Sequence, residues 1–559
     1  MPAPTTPQTT APFAEVERLT LAGGAPLGRA RLAAHLARFD ARTRPRLRTL
    51  WAYYRNPMED AVAIAGHGGV ASRGYRLAQE RGLPGRIAGH WDRRGVAARL
   101  ASDDRTWSRK EVVIENDIAW RIHTMVDFMF GRPIAVQSTA ADAGVRREVE
   151  AALDAVWEAS GGIGLLQDMG LLGHVYGHVD LVVRVLPEPT SAGEQGGMGA
   201  GEGEAATVEG ESAAERAARR VRIELVEPTA GVALLGEDGR TIDAYVIRRE
   251  RETAPPTGPA DPPAPALRGS LMRLWRKAVE TAVQGSPADD TPIDRTLITE
   301  VFAGGRRQVF ESPAGDAGAP RLVAEGPALA EARDADRPPV IHIQNISQPF
   351  DYAGLGEVEP LLAMQDELNT RLSDRASRVT LQSFKMLLAK GLDGAESMPI
   401  APGIVWSTDN ADAEIQSFGG DGASPSEDRH IDEVREAMDK ASGVPPLAAG
   451  VVRAKIGNLT SENALKVTLM GLLSKTARKR VTYGRGVIEA SRLALEALDR
   501  LGILRTTERD RGLRVDWPDP LPRDLKQELD AAVRKVELGV PRERVLSELG
   551  YAPVDPGVV

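Results

Sequence analysis

The chain of 559 residues contains no cysteine. Disulfide frameworks, thiolate metal sites and thiol nucleophiles are therefore excluded, which fits a reducing cytoplasm without requiring one. No stretch of about 18 uninterrupted apolar residues occurs, and Met1 to Phe13 is rich in Pro and Thr, with neither a basic start nor an apolar core. The expectation is a protein that neither spans a membrane nor is exported by a signal peptide. Also missing is Gly-x-x-x-x-Gly-Lys-Ser/Thr, so no nucleotide-driven motor is evident. A Gly-x-Ser-x-Gly nucleophile elbow is absent too. A basic surplus is lacking: 70 Lys+Arg face 79 Asp+Glu, a formal charge of -9. Proteins that grip DNA ordinarily carry the opposite balance, because phosphate neutralisation and counterion release supply much of the affinity. What remains, 42% hydrophobic and 27% charged, is ordinary for a soluble folded chain long enough for several domains.

The faint chemical signals have plain structural readings. Gly197, Gly199, Gly201 and Gly203 lie in a Glu-containing low-complexity tract with no strand before it or helix after it, which does not make a dinucleotide loop. His174 and His178 are four apart and read either as metal ligands on one helix face or as ordinary structural histidines. No Glu follows His174 and the neighbouring residues have a strand pattern, so the structural reading is preferred. The many carboxylates form no recognisable catalytic pair. No enzyme activity, cofactor or metal is expected.

The informative stretch is Gly354 to Arg480. From Glu357 to Gln382, Leu361, Gln365, Leu368, Leu372, Ala376 and Val379 recur every three or four residues, which is one helical face with Gln365 as its polar exception. The opposite face carries Asp366, Glu367, Arg371, Asp374, Arg375 and Arg378. Two pairs there, Glu367 with Arg371 and Asp374 with Arg378, have the i to i+4 spacing that supports a solvated helix. These charges fit a solvated face or pairing between neighbouring copies of the helix. A second helix over about Asp428 to Ala441 places Ile431, Val434 and Met438 on one face, and Gly443 and Pro445-Pro446 end it. Between the two, Phe384 to Leu392 and Gly403-Ile404-Val405-Trp406 read as short strands before a polar loop, Gly419 to Glu427.

A third helix opens near Thr460 or Ser461 and continues through Leu465, Leu469, Leu472, Ile488 and Leu495 to about Leu501. Unbroken, it would be about 60 Å long, and Gly471, Gly484 and Gly486 predict a kink near Tyr483 to Gly486. Its basic run, Lys475, Arg478, Lys479 and Arg480, is expected to line a channel or, preferably, to pair with acidic residues of a neighbouring subunit.

The first half predicts an α+β region. Arg29 to Arg48 is helix-compatible, with Leu27, Leu32, Leu36 and Phe39 on one face, and reads as a solvated outer helix. Strands are expected at Val179 to Leu186, around Ile223 and around Ala244, with a hairpin from Leu297 to Phe310 turning at Gly304-Gly305. Segments near 190–216, 253–268 and 312–338, rich in Gly, Glu, Pro, Ala or Asp, read as disordered insertions that cannot bury enough apolar surface to offset their ordering entropy.

Four stretches together resemble the portal proteins of tailed bacteriophages, the head-tail connector rings. They are Val126 to Ile134, ending in Phe130-Gly131-Arg132-Pro133; Pro339 to Asn345 with Gly356 to Leu361, Gln365 to Asn369 and Leu372-Ser373-Asp374; Ser442-Gly443-Val444-Pro445-Pro446 with Asn463-Ala464-Leu465-Lys466; and Pro520 to Asp524 with Leu538 to Glu543. The resemblance covers most of the chain from about Tyr53 onward.

It implies an α+β portal fold with a wing over 1–354, stem helices over 355–383 and 428–443, and a β-containing clip over 384–427. A tunnel loop over 444–460, a long wing helix over 461–500 and a helical crown over 501–559 complete it. Val451, Val452, Arg453, Lys455 and Ile456 of the tunnel loop would face DNA, apolar side chains and one or two cations per subunit touching it without sequence preference. Asp366, Glu367, Arg371, Asp374, Arg375 and Arg378 would be the charges between stems. The resemblance further implies a homo-oligomeric ring, usually a dodecamer, at one vertex of the virion capsid, assembled in the host cytoplasm. Double-stranded DNA would enter and leave through it. Its protein partners would be the terminase large subunit, a head-completion or adaptor protein, and major capsid and scaffolding proteins. A mostly acidic wall would keep a passing duplex from sticking, over a screening distance of about 10 Å. The alternatives are a structural adaptor with a helical shaft that encloses no DNA, and a metal-dependent hydrolase using His174 or His178.

Overall fold

The computed structural model describes residues 13–21, 24–55, 113–187, 212–253, 294–313, 320–331, 337–383, 386–390, 412, 414–418, 425–449, 462–521 and 525–548. The chain opens with α1 (Arg29–Arg38), a π-helical turn over Phe39–Thr43, and α2 (Arg44–Arg55). There follow α3 (Ala119–Phe130), β1 (Ala135–Ser138), α4 (Ala143–Ala159), α5 (Gly162–Tyr176) and β2 (His178–Val185). Next come α6 (Ala213–Arg220), β3 (Val221–Val226), β4 (Gly231–Leu235), β5 (Ile242–Thr253), β6 (Asp294–Ala303), β7 (Arg306–Pro313), β8 (Arg321–Pro327) and β9 (Val340–Gln344). Then α7 (Leu362–Ser383), β10 (Met386–Lys390), β11 (Glu414–Phe418) and α8 (Pro425–Ser442) form a helical hairpin with a β tip. The chain continues as α9 (Glu462–Thr468), α10 (Met470–Arg500), β12 (Leu513–Asp516), α11 (Leu525–Glu537) and α12 (Arg542–Glu548).

The expected α+β mixture holds. Strands β4 to β8 make a five-stranded antiparallel sheet in chain order, and β3-β2-β9 make a three-stranded one. The hairpin of β6 and β7 turns at Gly304 and Gly305, both at positive φ, with Ala303 opposite Arg306. The periodic face of α1 is buried, not solvated as a whole: Leu27, Leu32 and Leu36 pack with Val232, Val246, Val301 and Phe310 of the five-stranded sheet. A larger core joins α4, β2, β3 and β9 to α10, through Val156, Leu181, Ile343, Val487, Ala494 and Leu498.

Several expectations change. The segment near 312–338 contains β8, paired with β7. Most of its side chains are exposed, so it is held by backbone pairing as an edge strand and carries no alternating apolar signal. The segment near 190–216 ends inside α6, which starts with a capping box between Ser212 and Glu215 and buries Ala217. In the tip, β10 pairs with β11, Leu388 opposite Gln416, whereas the expected strand Gly403 to Trp406 lies outside the described residues, as does the segment 254–268. Residues 501–521 are not purely helical: β12 pairs with β1, Val136 opposite Val515, on the main core. Across Tyr483 to Gly486, where a kink is expected, the long helix is continuous in its hydrogen bonding. It is interrupted at Leu469 and runs on from Met470–Arg500. Its glycines serve close packing: a Cβ on Gly486 would sit 2.3 Å from Ile343 Cδ1, so β9 approaches the helix more closely than a side chain allows.

Candidate functional site

The helical hairpin α7–α8 is the part of the fold without a counterpart in the two sheets, and how it is rooted sets what it can do. Its lead-in is threaded between the end of α5 and the end of β9. Gly354 has φ +65°, and a Cβ on Gly356 would lie 2.9 Å from Val175 O, so only glycines fit. Glu357 N donates to His174 O at 2.7 Å, and Asn345 Nδ2 donates to Leu355 O.

Glu357 is then placed against the long helix. Its carboxylate, on a residue 3% exposed, pairs with Lys475 Nζ and Lys479 Nζ, each at 2.7 Å. Lys475 Nζ also donates to Ser442 O in the last turn of α8, where a cation complements the helix dipole. One lysine thus ties both roots of the hairpin to α10. Burial pushes the Glu357 carboxyl up, but the Lys479 and Lys475 charges outweigh it and hold it at about 2. Burial brings Lys479 down to about 8 against the pull of Glu357. Two ammonium groups share one carboxylate, so the carboxylate is fully compensated and Lys479 less so. The expected pairing of this basic run with a neighbouring subunit is therefore corrected for Lys475 and Lys479, whose partner is in their own chain. Arg480 donates to Pro518 O and stacks 5.2 Å from the Trp517 ring. Arg478 is exposed.

A second root lies between α8 and α3. Arg121, 1% exposed, pairs with Asp117 at 2.9 Å and with Asp439 of α8, and lies 4.3 Å over the Trp120 ring. A third runs along α7. Gln365, Asn369 and Ser373, four residues apart, hold the extended chain before α3: Gln365 Nε2 donates to Glu115 O at 2.6 Å, while Asn369 Oδ1 and Ser373 Oγ accept from Glu115 N and Val113 N at 2.9 Å. The polar exception on the apolar face is thus one rung of a buried polar ladder, for which helical periodicity gives no signal. Leu361 and Leu368 flank it in a core shared with Tyr53, Ile122, Ile431 and Met438.

The six charges expected between stems lie along the hairpin flank, and each has a partner in its own chain. Tyr53 OH donates to Asp366 at 2.8 Å; burial raises that carboxyl to about 6 against this bond. Glu367 pairs with Arg371 at 2.7 Å and with His430 of α8 at 3.0 Å. Burial opposes its charge, yet these two donors hold its pKa below the usual range. Arg371 also reaches Asp374 at 3.5 Å, Arg375 pairs with Asp428 at 3.0 Å, and Arg378 pairs with Glu427. Glu367 and His430 also border a shallow groove of about 340 Å³ between the two helices, with Met364 and Val434. Val451, Val452, Arg453, Lys455 and Ile456 lie outside the described residues; the chain leading to them leaves α8 at Gly443, φ +71°, and enters a short 3-10 turn at Pro446–Ala449.

His174 lies in the last turn of α5 and His178 starts β2, so they share no helix face; both are buried. His174 Nδ1 contacts Gly170 O, and its pKa falls to about 3, through burial first and the Lys479 charge second. His178 is brought down to about 4 by burial, against the pull of Asp180. Beside it, the buried carboxylate of Asp180 accepts from Tyr245 OH at 2.6 Å and contacts His342 Nδ1 at 2.7 Å. Among the described residues no group of three His, Asp or Glu is placed to hold a metal.

The segment that builds this hairpin and its anchor helix is matched by a family model. Residues 330–550 match the phage portal protein family, SPP1 Gp6-like, so the resemblance to portal proteins holds over that part of the chain. No curated protein matches the sequence. Similar solved structures include a chain from the neck of an empty gene transfer agent (GTA) particle computed with C6 symmetry, at 12% identity and TM-score 0.38, and one from the virion of a native GTA particle, at 12% identity and TM-score 0.37. Each alignment covers 82% of this chain and 100% of the other.

Proposed function

We propose that this chain is a portal subunit: a structural protein that assembles with copies of itself into a ring, a dodecamer, at one vertex of a phage-like capsid. The observation that carries the reading is the family match over 330–550, which begins just before β9 and contains the hairpin, its β tip and the long helix. In this reading α7 and α8 form the stem, β10 and β11 belong to the clip that docks the terminase motor and later the head-completion protein, and the five-stranded sheet lies in the wing. DNA passes through the ring, past Val451, Val452, Arg453, Lys455 and Ile456. The work is done by shape, and ATP hydrolysis belongs to the motor partner. The buried roots support it mechanically, since a stem around a moving duplex must be held rigidly to its wing. The half-exposed flank charges, Asp366, Glu367, Arg371, Asp374, Arg375 and Arg378, would extend their own pairs into a network shared with the adjacent stem. Capsid and scaffolding proteins are the remaining partners.

Native mass measurement and negative-stain imaging of the purified protein test this. Twelve chains of 60.0 kDa would weigh roughly 720 kDa in a closed ring with a central hole. A monomer or dimer in every condition, including within particles, would overturn it.

A further inference from the structure

Two surface features of the wing complement one another and sit on opposite sides of one helix. The first is a protruding turn beyond β9. Phe350 is 92% exposed and has φ +64°, a left-handed conformation that costs a non-glycine residue about 1–2 kcal/mol. Its ring is approached by Arg240, whose guanidinium carbon is 5.7 Å from the centroid, and Asp351 beside it is exposed. A chain that strains its backbone to hold an aromatic ring in water has a use for that ring outside its own fold.

The second is an open cleft of about 450 Å³ along α10. Gly484, Ile488, Val515 and Trp517 line it, and at its rim the exposed Arg485 and Arg492, with Arg480, outnumber one exposed acid, Glu489. A Cβ on Gly484 would lie 3.5 Å from Trp517 Nε1, an ordinary contact distance, so the helix backbone meets the indole edge on the cleft floor, beside Arg480, whose guanidinium approaches the same ring. Gly484, Ile488 and Arg492 recur every four residues and share one side of the helix. Tyr483, Gly486, Val487 and Ala490 are buried on the other side, where Ile343 of β9 packs against Gly486.

We infer that Phe350 and Asp351 of one copy dock in the cleft of the next copy, the ring over Gly484, Ile488 and Trp517 and the carboxylate facing Arg485 and Arg492. An aromatic and an acid on the turn meet an apolar floor and a basic rim. The strand that carries the turn packs on the side of α10 away from the cleft, so the contact is head-to-tail: each copy offers both halves, the arrangement a closed ring of identical chains requires. This rests on the portal reading and names a specific contact within its ring.

The absence of cysteine makes the test direct. Phe350→Cys and Val481→Cys variants are prepared separately, Val481 being 64% exposed at the cleft mouth. Mixed and oxidised, they should give a disulfide-linked dimer that neither gives alone, and the double variant should give a ladder. Phe350→Asp, at an exposed position, should fold as judged by circular dichroism yet lower the assembled fraction by about tenfold or more at a fixed protein concentration. Asp351→Arg should weaken assembly and Arg485→Asp should restore it in the double variant. If Phe350→Asp forms rings of full mass and the mixture does not cross-link, this contact is wrong while the ring stands. If the wild type never assembles, the portal reading falls and the contact falls with it.

Discussion

The hairpin carries two sets of charges that look alike in sequence and behave differently in the fold. At its root, Glu357 and Lys479 are 3% and 2% exposed, shut between α5, α7 and α10. Along its flank, Arg375 and Asp428 keep 47% and 61% of their side-chain surface in water. In the root, each charge has lost its hydration and depends on its partner, so loss of one member strands the other. For Arg375 and Asp428, water screens the pair and holding two side chains together offsets much of the attraction. The root is therefore a fixed anchor, and the flank can exchange partners at little cost.

The sharpest way to break this contrast is Glu357→Gln, which leaves Lys479 buried without a counter-charge. We expect a loss of about 3–5 kcal/mol in urea unfolding; a loss under 1 kcal/mol would put the root in the same class as the flank. Acid should attack the root next. His174 and His178 have folded pKa values of about 3 and 4, below their usual 6.5, so the unfolded chain binds more protons in that window and stability falls as pH drops through it. Glu357, held at about 2 instead of 4.5, adds a further loss from pH 4.5 downward. Asp366 on the flank, raised to about 6, acts with the opposite sign between 3.8 and 6. Midpoints measured from pH 7 to 3 should decline in the wild type and decline less in His174→Asn. Smaller is Gly486→Ala, whose methyl meets Ile343: about 1–3 kcal/mol by overpacking, measured by thermal unfolding. The smallest effect is Arg375→Ala, below about 1 kcal/mol in the unfolding of a single chain, yet it should make ring assembly more sensitive to salt if the flank joins neighbouring stems.

Much of the architecture was legible because it is local. The apolar recurrence at Leu361 and Leu368, the stop at Gly443 and the Gly304-Gly305 turn each write their element within a dozen residues. Edge strand β8 was not legible, since its side chains face water and its ladder is backbone. Strand β12 was hidden for another reason: four residues gain strand character only by pairing with β1, far back in the chain. Gly486 of α10 reads locally only as a residue that weakens a helix; the close approach of Ile343 that requires it comes from β9.

Of the candidate site, the Glu367–Arg371 pair could be read from its spacing, whereas Arg375 and Arg378 find Asp428 and Glu427 across the hairpin. The root could not: Glu357 appears as one more acidic residue before a helix, and Lys475 and Lys479 as part of a basic run. By itself the sequence determined that the chain carries no thiol and no P-loop motif, that helices flank a β tip, and that residues resembling a portal protein occur in portal order. Only the tertiary structure decided which charges are buried and whom they hold, because that depends on which distant segments exclude water from one another.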